Sequence, residues 1–294
     1  MTAAAEKQRI LSQLRETVSQ LEGRGVGLDE SDAGQCWTFG APEVDAHVGG
    51  GLALDGLHEW GVGDAVLGGI GHGAALAGVI AGLLQRLPGP KGAGPRVGAA
   101  DLARERTQGV LWILSAAAVA EHGRPYGPGL LQAGLNPAEL LFVVAKREVD
   151  VAWAAEEGLK AGQALSAVVG VGGPLSFAAS RRLSLAASEA GLPCLWLAMT
   201  GRLSGSSAAQ TRWRVASGAS LADPYAPRAP GRPVWELELV RARGAPPAHF
   251  RVVWNDETGG FALAAALAAG APTTDLAQAG EHTPRRRGRG RRAA

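Results

Sequence analysis

The sequence predicts an α/β protein in which helices flank a mostly parallel central sheet and antiparallel strands form one edge. Short uncharged runs rich in Val and Leu alternate with longer helical segments, which is typical of buried parallel strands joined by helices. A Gly-rich turn near residue 61 separates a strand from a helix. Toward the C-terminus, two strands with alternating polarity are joined by a Gly/Pro turn, which indicates an antiparallel pair at the sheet edge.

The length and composition fit one large α/β domain with tails, or two small domains. The chain has 294 residues, of which 46% are apolar but only 5% aromatic, so Leu, Val and Ala must supply most of the core. The two cysteines, Cys36 and Cys194, lie far apart and lack a metal-like spacing. We expect reduced thiols in a cytoplasmic protein associated with the nucleoid.

Residues 1–25 are predicted to form an N-terminal helix with a narrow apolar seam. Its apolar residues are spaced three, four and three apart, a pattern suited to a partner helix or sheet. We predict self-association or partner docking through this seam, with packing on its own domain as the alternative. The seam consists of Leu11, Leu14, Val18 and Leu21.

The order of strand, Gly-rich turn and helix around residue 61 is that of a phosphate-binding loop. Such a loop also needs a Lys that reaches the terminal phosphates and a Ser or Thr that holds Mg²⁺. Leu67 and Gly68 stand at those two places, so the loop is predicted to be degenerate. The residues assigned to it are Gly61, Gly63, Asp64, Leu67 and Gly68.

The segment after this turn, Ala65 to Leu84, is uncharged and long enough to resemble a membrane span. It contains His72 and six glycines, and no cluster of Lys or Arg flanks it. A helix buried beside a parallel sheet is apolar on most faces as well. We therefore predict a core helix and no membrane partner.

Residues 37–61 carry a resemblance to a known family. Phe39-Gly40, Val44-Asp45, Gly49 to Leu52 and His58-Glu59 match the RecA core pattern in register. The ending LHEW followed by a degenerate loop resembles the ImuA family, RecA/SulA-like proteins encoded with the polymerase-like protein ImuB and an error-prone replicative-type polymerase. The resemblance extends from about Trp37 to Leu263 and implies a RecA-like core domain over residues 36–263.

The resemblance implies an accessory protein of damage-induced mutagenesis that scaffolds a translesion-synthesis complex. Its expected partners are ImuB, RecA, the error-prone polymerase, DNA and further copies of the chain. One alternative is a DNA-stimulated ATPase that uses ATP and Mg²⁺ with a non-standard phosphate loop. A second is a SulA-like inhibitor of cell division.

The candidates for ATP chemistry are few. In RecA-type ATPases an Asp at the end of a central strand helps to hold Mg²⁺, whereas Leu165 to Val171 and the following Gly172 contain no acid. Glu121 is the one credible water-activating acid, and a solvated glutamate is its alternative. No cofactor is assigned, with ATP and Mg²⁺ kept as the alternative.

Two pairs of arginines alternate along predicted strands. Arg241 and Arg243 match two lysines that in RecA proteins reach the nucleotide of a neighbouring subunit; here they are predicted to contact a neighbouring subunit or phosphate. The alternative is a solvated edge strand. A second strand lies beside the loop Gly201–Ala209, which corresponds to the DNA-contacting region of RecA. Its DNA-binding candidates are Arg212, Trp213 and Arg214.

The C-terminal residues 271–294 are predicted to be a disordered, Arg-rich tail. The last ten residues hold six arginines and no acid, which leaves 23 Lys and Arg against 27 Asp and Glu in the rest of the chain. Positive charge is therefore concentrated in the tail, where it would neutralise DNA phosphates without reading sequence. The arginines are Arg285, Arg286, Arg287, Arg289, Arg291 and Arg292.

Overall fold

The structure is a computed structural model that describes residues 36–63, 72–88, 109–199, 203–223, 226 and 228–265. The predicted N-terminal helix and the Arg-rich tail lie outside the described residues. The described part contains a nine-stranded sheet, a two-stranded sheet and six α-helices.

The strands are short in the first half of the chain and longer in the second. They are β1 (Cys36–Trp37), β2 (Leu52–Ala53), β3 (Leu57–Val62), β4 (Gly109–Ser115), β5 (Leu140–Ala145), β6 (Leu165–Gly172), β7 (Cys194–Ala198), β8 (Thr211–Leu221), β9 (Arg232–Ala242), β10 (Ala248–Asn255) and β11 (Gly260–Leu263). The helices are α1 (Pro42–His47), α2 (His72–Gln85), α3 (Ala116–His122), α4 (Gly127–Gln132), α5 (Glu148–Ala161) and α6 (Phe177–Ala190).

The large sheet has the order β11-β10-β9-β8-β3-β7-β6-β4-β5. The six strands from β8 to β5 in this order pair with one another in parallel, whereas the pairings of β8 with β9, β9 with β10 and β10 with β11 are antiparallel. The prediction of an α/β protein with a parallel sheet and an antiparallel edge is confirmed. The more specific prediction of a RecA-like core stays a prediction.

The sheet has an apolar layer on each face. One layer lies under α2 and contains the aromatic group Trp37, Phe39, Trp60, Trp213 and Phe261. The indoles of Trp60 and Trp213 stack with centroids 5.5 Å apart and planes 9° from parallel. The other layer lies under α5 and α6. Both layers follow from strands that are apolar on consecutive residues.

The glycines of α2 are explained by packing inside the protein. A Cβ at Gly78 would lie 3.1 Å from the indole of Trp235, and one at Gly82 would lie 2.7 Å from the ring of Phe261. Small residues are required because these rings lie against the helix backbone. The helix has 14 residues, and no helix in the described part of the chain is long and apolar enough to cross a membrane.

Arg86, directly after α2, connects the beginning of the described fold to its end. Its guanidinium is largely buried and donates to the carbonyl and the hydroxyl of Thr38, at 3.0 and 2.8 Å, and to the carbonyl of Gly259 at 2.7 Å. Gly40 and Gly260 leave room for it, since a Cβ at either would lie within 3 Å of the guanidinium.

Two expectations from the sequence are corrected. The polar segment 201–209 was predicted to be a flexible loop, but within its described part Leu203, Ser207 and Ala209 are buried. The segment packs on the sheet face beside α6, where the Ser180 hydroxyl accepts a hydrogen bond from the amide of Ala208. The apolar sequence around Trp153 indicates a core position, but its side chain is 62% exposed on α5.

Candidate functional site

A cavity of about 840 Å³ opens at the carboxyl end of the parallel strands. Val62, Leu114, Val171 and Leu197 contribute to its lining from four neighbouring strands. Helix α2 forms one side, and α3 with α4 forms the other. In open parallel sheets this end is where ligands bind, because the strands point their carboxyl ends and the connecting loops at the same space.

The cavity walls are mostly apolar. Small residues on α2, including Ala74, Ala77 and Ala81, leave the space open, and Trp112 contributes to the lining. The indole N–H of Trp112 is buried and has no hydrogen-bond partner among the described residues. The walls of the cavity are therefore apolar.

Glu121 lies at the rim of this cavity, at the end of α3. Its carboxylate is 60% exposed and lies 3.9 Å from Nε2 of His122. His122 and Arg124 are the lining residues in the described part of the chain that can carry positive charge. The rim thus contains one acid and two basic groups above apolar walls, and the role of Glu121 as a water-activating acid remains a prediction.

The described residues of the predicted phosphate loop pack against neighbouring strands. A Cβ at Gly61 would lie 2.6 Å from Leu203, and the amide of Gly63 donates to the carbonyl of Val215 at 2.7 Å. This amide is engaged in the sheet and so is not free to bind a phosphate. Asp64, Leu67 and Gly68 lie outside the described residues.

The neighbouring strand end has no ligand for Mg²⁺. Strand β6 ends in Val171-Gly172, which are buried and uncharged. Within the described ranges, no group of three His, Cys, Asp or Glu side chains could hold a metal ion. Both cysteines are free thiols, and burial raises the pKa of Cys194 to about 12.

A buried polar network connects β3, β8 and the segment 203–210. Glu59 accepts a hydrogen bond of 2.8 Å from Nε of Arg212 and one of 2.5 Å from the hydroxyl of Ser207. Nη1 of Arg212 donates to the carbonyl of Gly205 at 2.8 Å. The Glu59 carboxylate and the Arg212 guanidinium are both buried, so the low local dielectric strengthens their mutual attraction.

The prediction of DNA binding by Arg212 and Trp213 is corrected by this geometry. The guanidinium of Arg212 donates hydrogen bonds to Glu59 and Gly205, and Trp213 is fully buried against Trp60. Neither side chain is available to a DNA strand at the surface. Arg214 is partly exposed, and its Nη1 contacts both carboxylate oxygens of Glu238, at 3.1 and 3.2 Å.

Arg241, near the end of β9, and Arg243, in the turn that follows, are both exposed. Nη1 of Arg241 donates to the carbonyl of Ser207 at 2.6 Å, so this side chain also fixes the segment 203–210. The amide of Arg243 donates to the carbonyl of Gln210 at 3.1 Å. Their proposed contact with a neighbouring subunit or phosphate stays a prediction.

His58 forms a second buried network on the opposite face of β3. Its Nε2 lies 2.8 Å from the carbonyl of Ala53, which can only accept, so Nε2 carries the proton. Nδ1 therefore accepts from the hydroxyl of Thr211 at 2.8 Å, and that hydroxyl accepts from the indole of Trp213 at 3.0 Å. Burial lowers the pKa of His58 to about 4, so the ring is neutral at pH 7.

The remaining predicted residues lie outside the described residues. These are the N-terminal seam, Leu11, Leu14, Val18 and Leu21, and the tail arginines, Arg285, Arg286, Arg287, Arg289, Arg291 and Arg292. The local sequence pattern does not identify Ser207 or Arg86 as residues that make structural contacts. The Glu59–Arg212 pair is indicated in the sequence only by an acid within the mostly apolar strand β3 and an arginine near the start of β8.

The fold and the site define a mixed α/β protein with an apolar cavity at the carboxyl end of its parallel strands. No family model matches the chain. Protein ImuA from two strains of Caulobacter vibrioides, NA1000/CB15N and ATCC 19089/CB 15, is 31% identical over 223 residues. The match covers 71% of this chain and 80% of each relative. The chain belongs to the ImuA family.

Among solved structures, SulA from Pseudomonas aeruginosa is similar to this chain over 49% of its length, covering 98% of SulA, with 20% sequence identity. The TM-score of this match is 0.35.

Proposed function

We propose that the protein is an accessory factor of damage-induced mutagenesis, which brings an ImuB-type polymerase-like protein and an error-prone polymerase to DNA or to RecA. Membership of the ImuA family is the observation that supports this role. The buried and engaged glycines of the phosphate loop and the uncharged end of β6 favour a binding role over phosphoryl transfer.

The ImuB-type partner is expected to bind at the cavity beside α2. An apolar wall of this kind is suited to an apolar side chain of a protein partner. A triphosphate would need several cationic groups, and the described lining offers His122 and Arg124, with Glu121 opposing them. The partner surface is thus expected to insert an apolar side chain between α2 and α4.

The experiment uses Ala77→Trp, which fills the cavity from an exposed position on α2. We expect this variant to bind purified ImuB at least about tenfold more weakly, since a blocked pocket loses a central contact. It should also fail to restore damage-induced mutation in a strain that lacks the protein. Ala178→Trp is the matched control, because Ala178 is exposed on α6 on the other face of the sheet. This variant should retain both ImuB binding and damage-induced mutation.

Several results would contradict the proposal. If the wild-type chain neither binds ImuB nor restores damage-induced mutation, the accessory role is wrong. If Ala77→Trp and Ala178→Trp both behave as wild type, the role stands but the partner does not use the cavity.

A further inference from the structure

The mouth of the cavity beside α2 is bordered by residues 121–126, here called the rim segment, all of which contribute to the lining. At one end of the rim segment the ring of His122 lies against the start of α2, because a Cβ at Gly73 would lie 3.7 Å from its Nδ1. At the other end the ring of Tyr126 lies on α4, where a Cβ at Gly129 would lie 3.3 Å from Cδ1. The rim segment therefore extends across the mouth from α2 to α4.

The backbone of the rim segment has a defined shape between the two helices. Gly123 ends α3 with a φ of 81°, a conformation that favours glycine. Pro125 restricts the residue before it, Arg124, to an extended conformation. Tyr126 is also extended and is the N-cap residue of α4. The places of Arg124 and Tyr126 at the mouth are therefore set before any partner binds, which lowers the entropic cost of binding.

Arg124 is the charged group of the rim segment that remains free. Glu121 and His122 lie 3.9 Å apart and can pair with each other. Arg124 is exposed and has no ion-pair partner in the part of the chain that the structure describes. A guanidinium beside apolar walls is suited to a carboxylate, which it binds with two parallel hydrogen bonds. Charge complementarity therefore calls for an acidic group of the partner at this point.

Tyr126 is 72% exposed although it borders an apolar cavity. A small molecule inside the cavity would leave the outer face of this ring in water, whereas a protein surface across the mouth would cover it. Tyrosine and arginine are also among the residue types that contribute most to binding energy in protein interfaces. The exposed ring beside a free guanidinium thus favours a protein segment as the occupant.

We propose that the segment bound here carries a large apolar side chain next to a carboxylate, with the apolar side chain inside the cavity, Tyr126 packed against the segment and Arg124 bound to the carboxylate. This assignment rests on the proposed function, which places an ImuB-type partner at the cavity, and adds the chemistry that the partner must present. The small side chains of Ala74, Ala77 and Ala81 leave room for the apolar group within a volume of about 840 Å³.

The first test varies the charge at position 124 in the full chain and measures binding of purified ImuB. Arg124→Gln should raise the dissociation constant by about tenfold, and Arg124→Glu by more, because it places like charges together. Arg124→Lys keeps the charge and should recover part of the loss. The affinity of wild type should also fall more steeply with salt than that of Arg124→Gln. A purely structural role of Arg124 would not produce this order or this salt dependence.

Arg181→Gln is the matched control for the first test. Arg181 is an exposed arginine on α6, on the other face of the sheet, so its replacement changes the net charge by the same amount. Its affinity for ImuB and its salt dependence should match those of wild type. Urea unfolding curves of every variant exclude loss of the fold as the cause.

The second test removes the ring at the mouth. Tyr126→Ala should weaken ImuB binding by about tenfold and leave its salt dependence unchanged, since the ring contributes apolar contact and no charge. Tyr126→Phe keeps the ring and should bind nearly as well as wild type. Trp153→Ala is the control, because Trp153 is also an exposed aromatic residue but lies on α5. This variant should bind as wild type does.

The results separate this assignment from the proposed function. If Ala77→Trp abolishes ImuB binding while all Arg124 variants bind as wild type, the partner uses the cavity but presents no carboxylate, and the assignment is wrong. If ImuB does not bind the wild-type chain, both fail. Binding of decanoate that depends on Arg124, without such dependence for ImuB, would assign the cavity to a small apolar acid. Self-association that is lost in Arg124→Glu would assign the mouth to a second copy of the chain.

Discussion

The carboxylate of Glu59 and the guanidinium of Arg212 form a buried ion pair, with 2.8 Å between Oε2 and Nε. The pair joins adjacent parallel strands, and Glu59 also receives the hydroxyl of Ser207. Together these bonds hold the segment 203–210 against the sheet. The pair is therefore a structural element of this face.

We predict that Arg212→Met destabilises the protein by about 3–5 kcal/mol, because it leaves the Glu59 carboxylate buried without a cation. The double variant Glu59→Leu/Arg212→Met should recover much of this loss, since apolar residues remove both buried charges. Urea unfolding followed by tryptophan fluorescence measures the free energy of unfolding.

Arg214→Met is the control for this prediction. Arg214 pairs with Glu238 near the surface, so its loss should cost less than about 1 kcal/mol. A similar cost for Arg212→Met would show that the buried pair contributes no more than a surface pair.

His58 is predicted to make the protein less stable in mild acid. Burial lowers its pKa in the folded protein to about 4, below the ordinary value of 6.5 that applies to the unfolded chain. The unfolded chain therefore binds a proton first as the pH falls. Stability is complete above pH 6.5 and is lost between pH 6.5 and 4, by about 2 kcal/mol from pH 7 to pH 5.

The variant His58→Gln tests this assignment. Its free energy of unfolding should fall less than that of wild type between pH 7 and pH 5, because the titrating group has been removed. Parallel pH dependences for the two proteins would show that another group causes the acid sensitivity.

Deletion of residues 284–294 should weaken DNA binding and flatten its dependence on salt. Six arginines that contact single-stranded DNA would contribute about −4 to the slope of log affinity against log salt concentration. The measurement is fluorescence anisotropy with labelled DNA at several salt concentrations. Replacement of the six arginines by lysine, which keeps the charge, is the control and should retain the slope. An unchanged slope after deletion would assign DNA binding to the folded part.

Phosphate release from ATP is expected to stay at background with and without single-stranded DNA. The reason is that the described strand ends supply neither a Mg²⁺ ligand nor a free phosphate-binding amide at Gly63. Activity that rises with DNA and falls in Arg243→Ala or Glu121→Gln would instead support the ATPase alternative. Arg243 is preferred to Arg241 for this test because Arg241 also holds the carbonyl of Ser207.

The sequence predicted the buried strands well, because a strand covered on both faces is a continuous apolar run. The uncharged run Gly109–Ser115 forms β4, and the two strands joined by the Gly/Pro turn at Gly244 are β9 and β10. The same rule failed to show that β5 is exposed on both faces, since an apolar run has the same pattern at an edge and in the centre.

Contacts between residues far apart in the sequence could not be predicted from local pattern. The polar composition of 203–210 indicates a solvated loop, yet Ser207 is buried because its partner Glu59 lies 148 residues away. Trp213 lies between two arginines and is buried, whereas Trp153 lies between two alanines and is exposed, because only Trp213 lies on a strand covered by α2. The burial or exposure of these side chains depends on tertiary packing and not on the local sequence pattern.

Arg86 bonds to Thr38 and to Gly259, and the amide of Phe261 donates to the carbonyl of Phe39. These bonds bring the point where the chain enters the described fold next to the point from which it leaves toward the tail. A partner and a nucleic acid that bind next to these two points would then be held close to each other. Tethering of this kind raises their effective concentration toward each other without any direct contact between them.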